Sequence, residues 1–158
     1  MPRNPPGGSA RAGPRCYFEF ALSSSPQGRL SGDDPWLSIQ WDPGHQCVYA
    51  EWRGFANSRE FRASLMRIVD TIRAHNSGLL VSDNRRLEGV ADQDQLWIRD
   101  TWTPLAVAAG LKRIAVVVAH HGLGKIATEE ILSQVGMKAF ATRTFTTVSE
   151  ATEWVSES

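Results

Sequence analysis

Charged and imidazole side chains that could contact a ligand occur in two short stretches of the sequence, each directly after an apolar run. The first stretch contains Asp83, Arg85 and Arg86, and the second contains His120, His121 and Lys125. In an open α/β sheet, ligands bind in the crevice outside the carboxyl ends of the strands. A helix is predicted after each stretch, and a helix N-terminus attracts anions. We therefore predict that the two stretches hold an anionic group; the alternative is a solvated loop in which Asp83 pairs with a neighbouring arginine.

Neither these stretches nor the two cysteines match the motifs of a nucleotide site, a metal site or a nucleophilic enzyme. Gly122-Leu123-Gly124-Lys125 lacks the length and the trailing hydroxyl of a phosphate loop. His120 and His121 are adjacent, so their side chains diverge at a strand end, and no cysteine or carboxylate stands at ligand spacing nearby. Cys16 and Cys47 lie far apart, and neither has a recognisable activating context. We therefore predict a protein that is not an enzyme and that uses no metal or cofactor.

Six tryptophans are a further source of candidate binding residues. Trp41, Trp52 and Trp154 fit the core faces of their predicted elements. Trp97 and Trp102 lie five residues apart on one predicted helix, which places them roughly 140° apart around its axis. We therefore predict that one of these two faces the crevice, a tail or a partner. The alternative is that both pack around a helix that is buried on two sides.

Hydrophobic periodicity predicts the elements that position these side chains. Two strands with alternating apolar residues begin at Trp36 and form a hairpin, and three helix–strand pairs and a closing helix follow. The predicted ranges after the hairpin are a helix from Asn57 to about His75, a strand Leu79–Asp83, a helix Gln93–Ala109 capped by Asp92, a strand Ile114–Ala119, a helix Lys125–Val135, a strand Ala139–Phe145 and a helix after Thr147. The order β-β-α-β-α-β-α-β-α requires a mainly parallel sheet of about five strands with one antiparallel strand, an α/β fold.

Local signals support several of these elements. Asn57 with Glu60, and Thr147 with Glu150, have the spacing of a capping box. Pro104 lies inside the second predicted helix and is expected to kink it, because proline has no N–H and clashes with the preceding turn.

Composition limits the class of protein. The 158 residues suit one domain, and 17 basic residues balance 17 acidic ones, so no bulk attraction to nucleic acid or to an anionic membrane is expected. Residues 1–34 are rich in proline and glycine and are predicted to form a flexible tail, in which Tyr17–Phe20 could dock as a strand; residues 35–158 form the domain. The longest apolar run, Ile114–Ala119, is too short to span a membrane, and no signal peptide is visible. We therefore predict a cytoplasmic protein.

Five short segments in a fixed order carry a family resemblance. They are Trp52-Arg53-Gly54-Phe55, Leu80-Val81-Ser82-Asp83-Asn84-Arg85, Asp94-Gln95-Leu96-Trp97, Trp102-Thr103-Pro104 and Gly110-Leu111-Lys112-Arg113-Ile114-Ala115. Their combination, over roughly Trp36 to Val155, resembles the bacterial STAS-like, SpoIIAA-like domains, whose fold is shared with CRAL-TRIO lipid-transfer domains. The resemblance implies a SpoIIAA-like βα superhelix and no catalytic apparatus.

The resemblance also limits the expected regulation. Anti-sigma-factor antagonists of this fold are switched by phosphorylation of a serine or threonine at the start of the helix after the third strand. Residues 84–94 of this chain contain neither residue type. The sequence thus argues against partner switching of that kind, whereas a binding role without phosphorylation stays open.

Two functions follow as expectations. The first is a STAS-like binding or regulatory module that acts through a protein partner or a small anionic or amphipathic ligand. The alternative is a carrier of an apolar or amphipathic molecule, by analogy with CRAL-TRIO domains.

A homodimer is also predicted. Ile114–Ala119 is apolar on both faces, and a superhelix places most helices on one face of the sheet. The other face then needs the tail, a crossing helix or a second copy as cover. We expect the second copy, through a patch that includes Trp97 or Trp102.

Overall fold

The computed structural model describes residues 34–135 and 139–157. The predicted tail, with its Tyr17–Phe20 segment, lies outside the described residues except for Asp34. Asp34 contacts the domain, because its backbone bridges to Leu37 and its carboxylate pairs with Arg67. Asp34 therefore packs with the domain.

The described strands form one five-stranded sheet with the order β1-β2-β3-β4-β5. The strands are β1 Leu37–Asp42, β2 Cys47–Gly54, β3 Leu79–Leu87, β4 Arg113–Val117 and β5 Ala141–Phe145. Strands β1 and β2 are antiparallel, and the other three neighbouring pairs are parallel. The predicted α/β class, the mainly parallel sheet and the single antiparallel strand are confirmed.

Four helical regions accompany the strands. They are α1 Ser58–His75, α2 with its segments Asp92–Trp97, Ile98–Trp102 and Thr103–Ala108, α3 Leu123–Val135 and α4 Val148–Ser156. The predicted capping box of α1 is confirmed, because Asn57 Oδ1 accepts from the Glu60 N–H at 3.0 Å and Glu60 Oε2 accepts from the Asn57 N–H at 3.1 Å. Among the described helices, none has the length and apolar character needed to cross a membrane.

Strand β3 is longer than predicted. It continues four residues beyond Asp83, because β2 runs on beside it and pairs Arg53 with Arg86. Between the pairs Glu51–Asp83 and Arg53–Arg86, three steps along β3 match two steps along β2, so the register shifts by one residue. The prediction that this strand ends at Asp83 was therefore wrong, and the loop that follows it is limited to residues 88–91. Polar side chains at an exposed part of a sheet resemble a loop in sequence.

Helix α2 contains a π-helical turn immediately before Pro104. The Thr103 N–H donates to the Ile98 carbonyl, five residues back, and regular α-helix resumes at Thr103. This wider turn precedes the proline, which cannot donate to a carbonyl of the preceding turn. The predicted cap at Asp92 is wrong, because Ala91 occupies the N-cap position and no side chain caps this end.

The two faces of the sheet have different covers. Helices α1, α2 and α3 pack on the face that contains Val48, Leu80 and Ile114. The opposite face packs Val81, Ala115 and Val117 against α4, through Ala151 and Val155 among others. A crossing helix, one of the three predicted covers, thus covers this face over its apolar part. The homodimer stays a prediction, but its patch cannot include Trp102, whose side chain is buried.

Candidate functional site

A cavity of about 90 Å³ lies between the sheet and helices α1, α2 and α3. Leu80, Ile114 and Thr142 line it from three neighbouring strands, where their backbones pair side by side. Trp52 and Trp102 line it from β2 and α2. The lining side chains of the described residues are apolar, hydroxyl or amide groups, and none is charged.

Three of the polar groups at the cavity bond to one another. Ser82 Oγ donates to Asn84 Oδ1 at 2.8 Å, and Asn84 Nδ2 donates to Thr128 Oγ1 at 2.8 Å. Asn84 and Thr128 are buried, so this series of hydrogen bonds links β3 to α3 inside the domain. These groups already have partners and serve mainly to join the two elements.

Two other hydroxyl groups at the cavity have no such partner. Among the residues that the structure describes, Thr103 Oγ1 and Thr142 Oγ1 are buried side-chain oxygens without a hydrogen bond. Thr103 is only 6% exposed. A buried hydroxyl without a hydrogen bond costs roughly 1–3 kcal/mol of stability. The two hydroxyls therefore need a further explanation.

The π-helical turn accounts for the Thr103 hydroxyl. Thr71 in α1 and Thr152 in α4 donate their hydroxyls to carbonyls four residues back, at 2.8 and 3.0 Å. This bond is the usual way for a threonine in a helix to satisfy its side chain. Thr103 lies where the turn widens, and it makes no such bond. Its side chain lines the cavity. The irregular turn thus leaves the Thr103 hydroxyl free beside the cavity.

The two tryptophans of α2 have different surroundings. Trp102 is buried and lines the cavity, and its Nε1–H donates to the Leu65 carbonyl at 2.8 Å. Trp97 is half-buried, with the Arg62 guanidinium 5.3 Å from its ring centre. Arg62 also donates to the buried Asp94 carboxylate at 2.7 Å, which joins α1 to α2. Of the pair, Trp97 is the one that reaches the surface.

Asp83 and Arg85 form an ion pair on the face of the sheet opposite the cavity. Arg85 Nε and Nη2 donate to the two carboxylate oxygens of Asp83 at 2.9 and 2.7 Å, and the Tyr49 hydroxyl donates to Oδ2 at 2.8 Å. Burial alone would raise the pKa of Asp83, but the hydrogen bonds from Arg85 and Tyr49 hold it below its ordinary value. This is the pairing of Asp83 with a neighbouring arginine that stood as the alternative to a ligand site.

The remaining predicted site residues are exposed, except for Lys125, which is half-buried. Arg86 lies 3.7 Å from Glu51, and Lys125 Nζ lies 3.7 Å from Glu129. His120 and Lys125 line an open cleft beside α4 together with Arg143, whereas His121 is an exposed loop residue that does not line it. The structure therefore brings His120 and Lys125 together and places Arg85 and Arg86 beside β2.

Sequence reasoning missed the cavity and both of its free hydroxyls. For Thr103 a signal existed, since a proline directly after a threonine in an apolar helix indicates a disturbed turn. For Thr142 there was none, because its neighbours across the sheet come from distant parts of the chain. Comparisons of the chain with family models, with curated proteins and with solved structures gave no match.

Proposed function

We propose that this protein is a non-catalytic binding module that takes a small, mostly apolar molecule into the cavity between the sheet and helices α1 to α3. The observation that carries the proposal is the combination of an apolar lining with two buried hydroxyls that lack partners. Ligand sites are typically apolar with a few polar groups that fix orientation. Unpartnered buried hydroxyls reduce stability, so a bound ligand gives them a role.

The chemistry of the lining supports binding over catalysis. Nucleophilic and acid–base catalysis require a group that can be ionised or activated near the substrate. Among the described residues, the lining side chains are uncharged, and the hydroxyls of Ser82 and Thr128 are engaged with Asn84. A site of this composition can hold and orient a molecule but offers no group to transform it.

We further propose that the chain is a STAS-like domain with the SpoIIAA-like βα superhelix. The ordered sequence segments support this kinship, as does a parallel sheet whose strands follow chain order. In such a module the ligand would contact α1, α2 and α3 at once. A protein partner would then recognise the ligand-bound form at the surface of those helices. The alternative, a carrier, uses the same cavity and differs in how tightly the molecule is retained.

The direct test is an NMR titration of the full-length chain with toluene and with phenol. The indole N–H of Trp102 serves as the reporter, because this residue lines the cavity. We expect saturable shifts of this signal, whereas the signal of Trp41, which stacks on His75 outside the cavity, stays constant. Native mass spectrometry of the freshly purified chain separates the carrier from the module, since a carrier retains its cargo through purification.

Two matched substitutions on β5 locate the binding. Thr142→Phe places a ring in the cavity and should weaken binding of both probes at least tenfold, whereas Thr144→Phe lies outside the cavity and should leave it unchanged. Circular dichroism checks that both variants fold. Equal binding by both variants, or no shift of Trp102 in the unsubstituted chain, would overturn the proposed function.

A further inference from the structure

We infer that the ligand of the cavity is an uncharged molecule with a hydroxyl or carbonyl oxygen, held by Thr103 or Thr142 or by both. This inference rests on the proposed function and names the chemical class of its ligand. It follows from the free hydroxyls, from the absence of charge among the lining residues that the structure describes, and from the volume of the cavity.

The free hydroxyls determine the polar part of the ligand. A threonine hydroxyl can donate one hydrogen bond and accept others, so it pairs with a ligand hydroxyl or with a ligand carbonyl. Thr103 enters from α2 and Thr142 from β5, so the two groups approach the cavity from the helix layer and from the sheet. A pure hydrocarbon would leave both hydroxyls without a partner, and the ligand with an oxygen is therefore favoured.

The neutral lining excludes a charged ligand. Burial of a carboxylate or an ammonium group without a counter-charge is far more costly than burial of a hydroxyl. The nearby guanidinium of Arg85 cannot serve, because it lies on the opposite face of the sheet and is paired with Asp83. The anionic ligand predicted from the sequence therefore does not suit this cavity.

The volume limits the size of the buried part. An apolar cavity of about 150 Å³ in another protein stays dry and binds benzene. The cavity here measures about 90 Å³. This cavity is smaller than the one that binds benzene, so a single six-membered ring is the upper limit for the part of the ligand that enters, and the lining side chains must move apart slightly to admit it. Phenol has that ring and one hydroxyl group, so it is the appropriate probe.

The test compares three molecules that share one ring, namely toluene, phenol and benzoate. Each is titrated at pH 7 against the full-length chain, with the Trp102 indole N–H as reporter. We expect phenol to bind roughly tenfold more tightly than toluene, the ratio given by one net hydrogen bond, and we expect no saturable shift with benzoate.

Isosteric variants then assign the preference to the two hydroxyls. In Thr103→Val/Thr142→Val the preference should reverse, with toluene binding several-fold more tightly than phenol, because the phenol hydroxyl is then buried without a partner. Thr144→Val is the control, because Thr144 is on the same strand as Thr142 but lies outside the cavity, and there the preference for phenol should persist.

The outcomes separate this inference from the proposed function. Equal binding of phenol and toluene by the unsubstituted chain, or a preference that survives in the double variant, overturns the inference and leaves the cavity as a binding site for apolar molecules. Saturable binding of benzoate at Trp102 also overturns it. If none of the three molecules shifts Trp102, the proposed function itself fails.

Discussion

The Asp83 carboxylate combines burial with a full set of hydrogen bonds. Its side chain is 3% exposed, whereas its partner Arg85 is 45% exposed and remains in contact with water. The buried member of such a pair carries most of the cost if the pair is broken, because its charge then has no counterpart. The pair is thus a structural feature of the sheet face opposite the cavity, where the sequence had suggested an anion site.

Replacing this carboxylate should reduce stability in a way that depends on pH. We expect Asp83→Asn to lower the free energy of unfolding by roughly 1–3 kcal/mol at pH 7, since the charge-assisted bonds to Arg85 are lost. The pKa of Asp83 is lower in the folded chain than in the unfolded one, so its contribution is present above about pH 4 and is lost as the pH falls through the lowered pKa.

Urea unfolding at pH 7, 5 and 3 measures this difference. Asp70→Asn is the control, because Asp70 is exposed and its contact with Arg73 is long, at 3.4 Å. The control should change stability by less than about 0.5 kcal/mol. The difference in the free energy of unfolding between Asp83→Asn and the unsubstituted chain should be smaller at pH 3 than at pH 7. An equal difference at both pH values would show that the ion pair does not stabilise the fold.

The start of helix α3 packs directly on the end of strand β3. A Cβ atom at Gly124 would lie 2.4 Å from the carbonyl oxygen of Asn84 and 2.7 Å from that of Leu87. Both distances are shorter than a van der Waals contact, and both involve backbone atoms. The glycine that resembles part of a phosphate loop in the sequence is therefore explained by close packing.

We expect Gly124→Ala to lower the free energy of unfolding by roughly 1–3 kcal/mol, because α3 must move away from β3. Gly89→Ala is the matched control, since a Cβ there meets no atom within 4 Å. It should change stability by less than about 1 kcal/mol. Chemical denaturation measures both variants, and an equal loss in the two would contradict the packing explanation.

The elements were largely predictable, and the exceptions have physical causes. The apolar stripe and capping box of α1 are local signals, and the helix was predicted closely. The extension of β3 was not, because it depends on pairing with β2, a segment about thirty residues away. The π-helical turn was predicted only as a kink at Pro104, since the sequence does not show how the lost hydrogen bond is accommodated.

At the scale of the whole molecule, the sheet has helices on both faces. The apolar pattern of β4 predicted that both faces need cover, but it did not distinguish a crossing helix from a second copy. Helix α4 covers Ala115 and Val117, so the same chain provides the cover that a homodimer was expected to supply.

The cavity arises where four strands and three helices leave a common space unfilled. Its lining comes from β2 to β5 and from α1 to α3. A sequence specifies which residues are apolar, but the residual volume between them depends on how every element is placed. Of the predicted site residues, Trp102 therefore lines the cavity, whereas Trp97 and the charged and imidazole residues lie elsewhere.

The proposed binding function depends most on the Thr103 hydroxyl, which has no hydrogen-bond partner among the described residues. The most direct measurement is the free energy of unfolding of Thr103→Val, with Thr128→Val alongside, in urea and without added ligand. We predict that Thr103→Val is more stable than the unsubstituted chain by about 1 kcal/mol, and that Thr128→Val is less stable by about the same amount, because it alone breaks a bond, to Asn84. A loss of stability in Thr103→Val as large as that in Thr128→Val would show that the Thr103 hydroxyl already has a partner, and it would contradict the proposed binding function.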